Sequence, residues 1–233
     1  MKKLLVFIVL CLPVLCFSQD AAKKYQFGIK AAPNLGWISP DTRGYSSEGT
    51  KLGFGWGFMA DINIIDNYYF GMGFNLNYHN SSLSYNTLYP ITQINGSDSL
   101  FNGKLIRDLR LQYIEVPLLF KMKTNRFKEY RFLGQIGFVT SFNIKARAHD
   151  VFYQEGAKAI AGDMDVFDDI AFAKEALLIG GGFEYSIDKS TFLVFSLNYN
   201  NGFTDVFRGK NPLTGDEQNA TASYLELSLG IIF

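Results

Sequence analysis

His79 and Ser81 stand two residues apart, so in an extended chain their side chains share one face. An imidazole beside a hydroxyl is the start of a nucleophilic pair, and a lipid esterase is the chemistry it would serve. Such a pair needs an acid to orient the base, and local spacing supplies none. The only other histidine, His149, lies far along the chain, and two distant ligands do not make a metal centre. Gly180-Gly181-Gly182 has the composition of a phosphate cradle, but no helix follows it. The acidic run from Asp163 to Asp169 lacks the spacing of a calcium-binding loop. The expectation is a chain with no catalytic residue, no metal and no cofactor.

A second group of ionisable residues is more orderly. Lys30, Asp61, Glu115, Lys121, Arg131, Lys145, Glu184 and Glu226 each alternate with apolar neighbours. If the alternating faces close into a small barrel, these charges point into a lumen filled by side chains, where each needs a partner. The spacing predicts a structural network of Asp61, Glu115, Glu184 and Glu226 around Arg131 and a lysine. Lys30, Lys121 and Lys145 also suit solvated positions at the mouths.

The elements that would position these charges are written as alternation. Phe54, Trp56, Phe58, Ala60, Ile62 and Ile64 are separated by Gly55, Gly57, Met59, Asp61 and Asn63. After a short join the pattern restarts at Tyr68, Phe70, Met72, Phe74, Leu76 and Tyr78. Period-two patterning of this length marks strands, and the tight join marks a hairpin. Similar faces run through Tyr25–Trp37, Leu109–Met122, Tyr130–Ala146, Ala176–Ile187, Leu193–Tyr199 and Leu225–Phe233. Within Leu109–Met122 the apolar set passes from Leu111 and Tyr113 to Ile114, Val116, Leu118, Phe120 and Met122. With Pro117 unable to donate to a ladder, this predicts a bulge or broken ladder bond within residues 113–117. Joins at 65–67, 124–129 and 188–190 are short. Those at 39–53, 81–108, 147–175 and 201–222 are long and rich in Ser, Asn, Asp and Gly, and read as loops. Eight strands with short turns at one end and long loops at the other describe an outer-membrane barrel.

The N-terminus agrees. Lys2 and Lys3 precede an apolar stretch from Leu4 to Leu15, and small residues at Cys16 and Ser18 suit a cut before Gln19. Residues 1–18 read as a secretory signal and residues 19–233 as one barrel domain. Both cysteines, Cys11 and Cys16, fall inside the signal, so no disulfide frame is expected after it. Its removal also takes Lys2 and Lys3 and leaves a slightly acidic chain, which argues against nucleic-acid binding.

Alternation alone does not say which face is wet. A small lumen cannot hold Phe54, Trp56, Phe58, Phe70, Phe74, Phe138, Phe142, Phe183 and Phe195 together, whereas lipid accepts them all. The glycines concentrate on the polar face, where missing side chains relieve crowding. Amphipathic rings fall near strand ends: Tyr25, Tyr68, Tyr130, Tyr185 and Phe233 on the turn side, and Trp37, Trp56, Tyr78, Tyr113 and Tyr199 toward the loops. Two such girdles belong to a membrane–water interface. The reading is an all-β, eight-stranded antiparallel up-and-down transmembrane barrel of the outer-membrane type.

The segment Tyr113-Ile114-Glu115-Val116-Pro117-Leu118-Leu119-Phe120-Lys121 and the closing strand Leu225–Phe233 resemble the PorT-like family of outer-membrane barrels. The resemblance spans the mature chain, implies an eight-stranded integral barrel and carries no catalytic residues. Its terminal Phe233 resembles the signal read by the barrel-assembly machinery. The expected role is non-catalytic: a scaffold or binding protein working through long loops, possible support for secretion or envelope assembly included. A narrow conduit and a lipid-modifying enzyme are the alternatives. Outer-membrane lipid, the assembly machinery, and a protein or glycan at the loops are the expected partners. Tyr85, Tyr89, Phe101, Phe152, Phe167 and Phe172 are read as that loop surface, or as a lid over the mouth.

Overall fold

A computed structural model of the chain describes residues 24–92, 98–154 and 157–233. The expected signal segment lies outside the described residues. Nine strands follow one another: β1 (Tyr25–Pro40), β2 (Tyr45–Ile65), β3 (Tyr68–Thr92), β4 (Asp98–Lys123), β5 (Tyr130–Gln154), β6 (Ala157–Asp165), β7 (Ala173–Ser186), β8 (Phe192–Gly202) and β9 (Ala220–Ile232). Eight of them pair antiparallel in a closed ring, β1-β2-β3-β4-β5-β7-β8-β9 and back to β1. β6 folds back as a hairpin on the upper part of β5. Beyond β9 the ring is sealed by Phe233, whose N–H donates to the carbonyl of Phe27 at 2.7 Å and whose carbonyl accepts from Phe27 at 3.2 Å.

The lower turns are tight for local reasons. Asn67 takes φ 68° at the β2–β3 turn, a left-handed conformation that Asn tolerates. At the β7–β8 turn the Asp188 carboxylate accepts the N–H groups of Ser190 (2.7 Å) and Thr191 (2.8 Å). The upper connections differ from the sequence reading. Among the described residues most of 39–53, 81–108 and 147–175 is strand rather than loop, with 166–172 and the stretch after β8 largely irregular. The reason is environment: above the membrane a strand's outer face meets water, so its polar and small residues look like loop composition.

The same cause explains the apparent change of phase in β4. That strand never slips: Leu105, Leu109, Leu111, Tyr113, Glu115, Leu119, Lys121 and Lys123 all point inward and are buried. What changes is what lies on either side. Below Tyr113 the lumen is polar and the outside apolar; above it the interior is apolar and the outside polar. The ladder does break nearby. On the β3 side pairing jumps from Met72↔Leu118 to Asn75↔Glu115, passing over Pro117. On the β5 side the register shifts between Gln112 and Tyr113, leaving Ile144 as an extra residue on β5. There the inward set changes from Ser141 and Asn143 to Ala146, Ala148 and Asp150. The phase shift belongs to β5, and a bulge absorbs it.

The barrel therefore has two storeys. In the lower one Phe27, Trp56, Phe58, Phe74, Phe132 and Phe138 are about half exposed on the outer wall. The apolar face of β3 runs from Tyr68 to Tyr78, about eleven residues, which at the usual tilt covers the ~25 Å apolar band of an outer-membrane barrel. In the upper storey Ile38, Leu83, Leu105, Leu109, Leu111, Phe152, Val166, Val206 and Ala222 form one buried apolar core.

Candidate functional site

Within the lower storey the sequence-derived charges converge. Asp61 accepts from Lys121 at 2.7 Å and from Lys123 at 2.9 Å. Lys123 also reaches Glu184 at 2.7 Å, and Arg131 closes the chain on the same carboxylate. The phenol of Tyr69 accepts from Arg131 at 3.2 Å, and the Lys123 ammonium lies 4.2 Å from the Tyr69 ring centre. Glu226 pairs instead with Lys30 at 2.8 Å and accepts from Asn198 at 3.0 Å. Glu115 has no cation within ion-pair distance: it accepts from Asn77 (2.9 Å), Tyr224 (2.9 Å) and, at 3.5 Å, Ser141. Lys145 faces outward and is exposed.

Glycines make room for these side chains. A Cβ on Gly71 would come within 2.5 Å of the Lys121 stem, and one on Gly180 would collide with the Asn198 amide. What space remains is a cavity of about 40 Å³ between Glu115, Lys121, Glu184 and Glu226, room for roughly two or three waters. Leu133, Phe192, Val194 and Ile232 pack together beneath it.

Several members of this arrangement escaped the sequence reading. Lys123 is two residues past Lys121, and carrying the alternation one step further would have found it. Lys174 lay inside what read as a loop. It is fully buried, its ammonium 4.8 Å from the Tyr113 ring centre and 5.6 Å from that of Tyr224.

The girdle residues Tyr25, Trp56, Tyr68, Tyr78, Tyr130, Tyr185, Tyr199 and Phe233 all sit on the outer wall. Tyr113, expected among them on the loop side, instead faces inward and is fully buried, because it stands where the interior turns apolar. Tyr130 and Tyr185 face each other across β5 and β7 with ring centres 5.1 Å apart, and Trp37 stacks on Tyr199 at 6.0 Å. Trp56 lies one outward position deeper than Phe54, inside the band rather than at its rim.

His79 and Ser81 do share a face, but it is the inner one, and both are completely buried. Among the described residues neither ring nitrogen of His79 makes a well-formed hydrogen bond, and its ring centre lies 6.0 Å from that of Tyr224. Enclosed inside the barrel, this pair is shut off from acyl chains in the bilayer.

At its open end the upper storey carries a cleft of about 340 Å³, large enough for a small ligand. Tyr85, Tyr89, Leu105 and Met164 wall it, and Arg208, Lys210 and Pro212 form its lip. At its base Arg107 grips Asp150 through two bonds of 2.8 and 2.6 Å, with Asp169 3.9 Å away. Burial opposes the Arg107 charge, but Asp150 and the neighbouring Tyr85 and Asp169 outweigh it and raise its pKa above the usual guanidinium value. Burial pushes the Tyr85 phenol up to about 12, Arg107 notwithstanding. Among the described residues neither Arg208 nor Lys210 makes an ion pair. The loop aromatics turn out to be mostly interior: Tyr85 and Phe152 belong to the core, Tyr89 and Phe101 pack against it, and Phe167 and Phe172 alone stay largely exposed. The upper strands need most of those rings as their own core, which leaves Tyr85 and Tyr89 to meet the outside along the wall of the cleft.

Residues 17–208 match the family described as outer membrane protein beta-barrel domain. The chain belongs to that family. It is accordingly an outer-membrane protein, and the apolar outer wall of the lower storey is its lipid-facing surface. A comparison with curated proteins gives no match. Among solved structures the chain is similar to Neisserial surface protein A, with 15% identity, 91% of this chain and 98% of that one covered, and a TM-score of 0.45. It is also similar to the outer membrane protein OprG from Pseudomonas aeruginosa (12% identity, 93% and 99% covered, TM-score 0.47). The outer membrane protease OmpT from Escherichia coli is another (7% identity, 94% and 99% covered, TM-score 0.40).

Proposed function

We propose that this family member is a non-catalytic binding protein that captures a ligand at the outer cleft and holds it clear of the membrane. The observation that carries the reading is the cleft itself: aromatic walls and a cationic lip on a rigid, packed storey. Two cations without ion-pair partners at the lip suit a ligand bearing carboxylate, sulfate or phosphate groups, and the tyrosines suit a sugar or peptide backbone. The packed lumen, with its small cavity and its apolar cluster beneath, favours this over a conduit for solutes.

The same proposal includes the closer kinship to PorT-like barrels, supported by Tyr113–Lys121, and a part in secretion or envelope assembly. It also includes export by residues 1–18 and delivery through the assembly machinery, supported by the exposed ring of Phe233 at the end of β9. The test is a screen of acidic and neutral glycans and peptides against the purified chain, repeated with an Arg208→Ala/Lys210→Ala variant. Binding of an acidic ligand weakened about tenfold or more by the variant supports the reading. Binding unaffected by the variant, or solute conductance in planar bilayers, removes it.

A further inference from the structure

A second site lies on the outside of the barrel, where the apolar band ends. Along β4 and β5 the outward positions climb through Leu118/Phe138, Val116/Thr140 and Ile114/Phe142, the last pair followed by the bulged Ile144. The next two outward pairs are Gln112↔Lys145 and Arg110↔Arg147. Arg110, Lys145 and Arg147 are all exposed. Arg110 and Arg147 are direct cross-strand partners, an arrangement in which like charges repel at short range.

The acids nearby make their hydrogen bonds elsewhere, although Asp163 still feels the charges of Arg110 and Arg147 after that of His149. Asp165, opposite Arg147 on β6, accepts the N–H of Phe167 at 2.9 Å. Asp163 pairs with His149 at 2.7 Å, and Asp108 with Lys51 at 3.2 Å and with the Ser82 hydroxyl. Among the described residues Arg110, Lys145 and Arg147 form no ion pair. Just below them Ile144 and Phe172 are exposed, and the Phe172 ring lies 5.7 Å from that of Phe142.

We propose that Arg110, Arg147 and Lys145 form a binding site for the phosphorylated headgroup of an outer-leaflet lipid, whose acyl chain lies along Ile144, Phe142 and Ile114. A phosphate between the two guanidiniums turns a repulsive pair into a bridged one, and guanidinium–phosphate contacts are favoured in geometry as well as charge. The height is right for a lipid: the cations begin where the apolar wall stops, at headgroup level. A soluble anion would satisfy the cations but make no use of the apolar ridge.

The experiment is native mass spectrometry of the full chain released from detergent, titrated with bisphosphorylated lipid A, with the same lipid dephosphorylated, and with inorganic phosphate as competitor. The expected result is retention of one phosphorylated lipid, loss of retention on dephosphorylation, and no displacement by phosphate at lipid-equivalent concentration. Arg110→Ala/Arg147→Ala should weaken retention about tenfold or more, while Arg110→Lys/Arg147→Lys, which keeps the charge, retains part of it. Folding of each variant is read from the heat-dependent gel migration of the barrel. Equal retention of both lipids by folded variants overturns the site, and displacement by equimolar inorganic phosphate overturns its assignment to a lipid.

Discussion

The lower and upper storeys are built from the same strands and obey opposite rules. β4 shows this best: its inward side chains are Lys123, Lys121 and Glu115 in the lower half and Leu111, Leu109 and Leu105 in the upper. In lipid the outer wall must be apolar, so the lumen takes the charges, and Asp61, Lys121, Lys123, Arg131 and Glu184 persist there by pairing with one another. In water the outer wall is polar, and the interior reverts to an ordinary apolar core. The solvent outside the barrel, more than the fold, decides which side chains face inward.

The largest effect that would test this contrast is expected from Lys123→Ala. It leaves the Asp61 and Glu184 carboxylates without their shared cation, and breaking a buried ion pair from one side costs about 3–5 kcal/mol. Urea unfolding in detergent should show it as a lowered midpoint, and a midpoint within error of wild type would mean the network contributes little. Leu109→Ala, in the upper core, is expected to cost about 2–5 kcal/mol. Its damage should stay local: protease should nick the upper strands while the membrane barrel keeps its heat-dependent migration. Global unfolding instead would show that the two storeys are one cooperative unit. The finest comparison places the same lysine at two heights of the outer wall. Phe74→Lys, in the lipid band, should cost about 2–4 kcal/mol. Ile106→Lys, outward on upper β4, should stay within about 0.5 kcal/mol. Equal costs would erase the boundary between the two storeys, where the apolar outer face of β3 ends at Tyr78.

Much of the lower storey was legible from sequence because one residue's character fixes its direction there. Phe58 beside Gly57 and Asp61 has a single reading once lipid is outside. Asp61, Arg131, Glu184 and Glu226 were visible as charges in apolar surroundings, although which lysine each carboxylate would take depended on register across four strands. Glu115 shows the limit: its partners Asn77 and Tyr224 come from distant strands and carry no charge pattern to announce them. The upper storey was harder. Its alternation runs in the opposite sense, so Leu111 and Tyr113 looked like a slip in β4, and Ser- and Asn-rich strand looked like loop. Residues such as Ala146, Ala148 and Ala222 carry too little hydrophobic signal to mark a core, and Lys174 was hidden among them.

The β3–β4 hairpin climbs well past the highest aromatic ring of the lipid belt, with Tyr89 still paired to Phe101 close to its tip. From Tyr78 to Thr92 the strand gains roughly 45 Å of contour at ~3.3 Å per residue, about the thickness of a whole bilayer with its headgroups. A tower of that height carries its upper strand pairs well clear of the lipid, so whatever approaches from that side touches the hairpin before it touches the membrane.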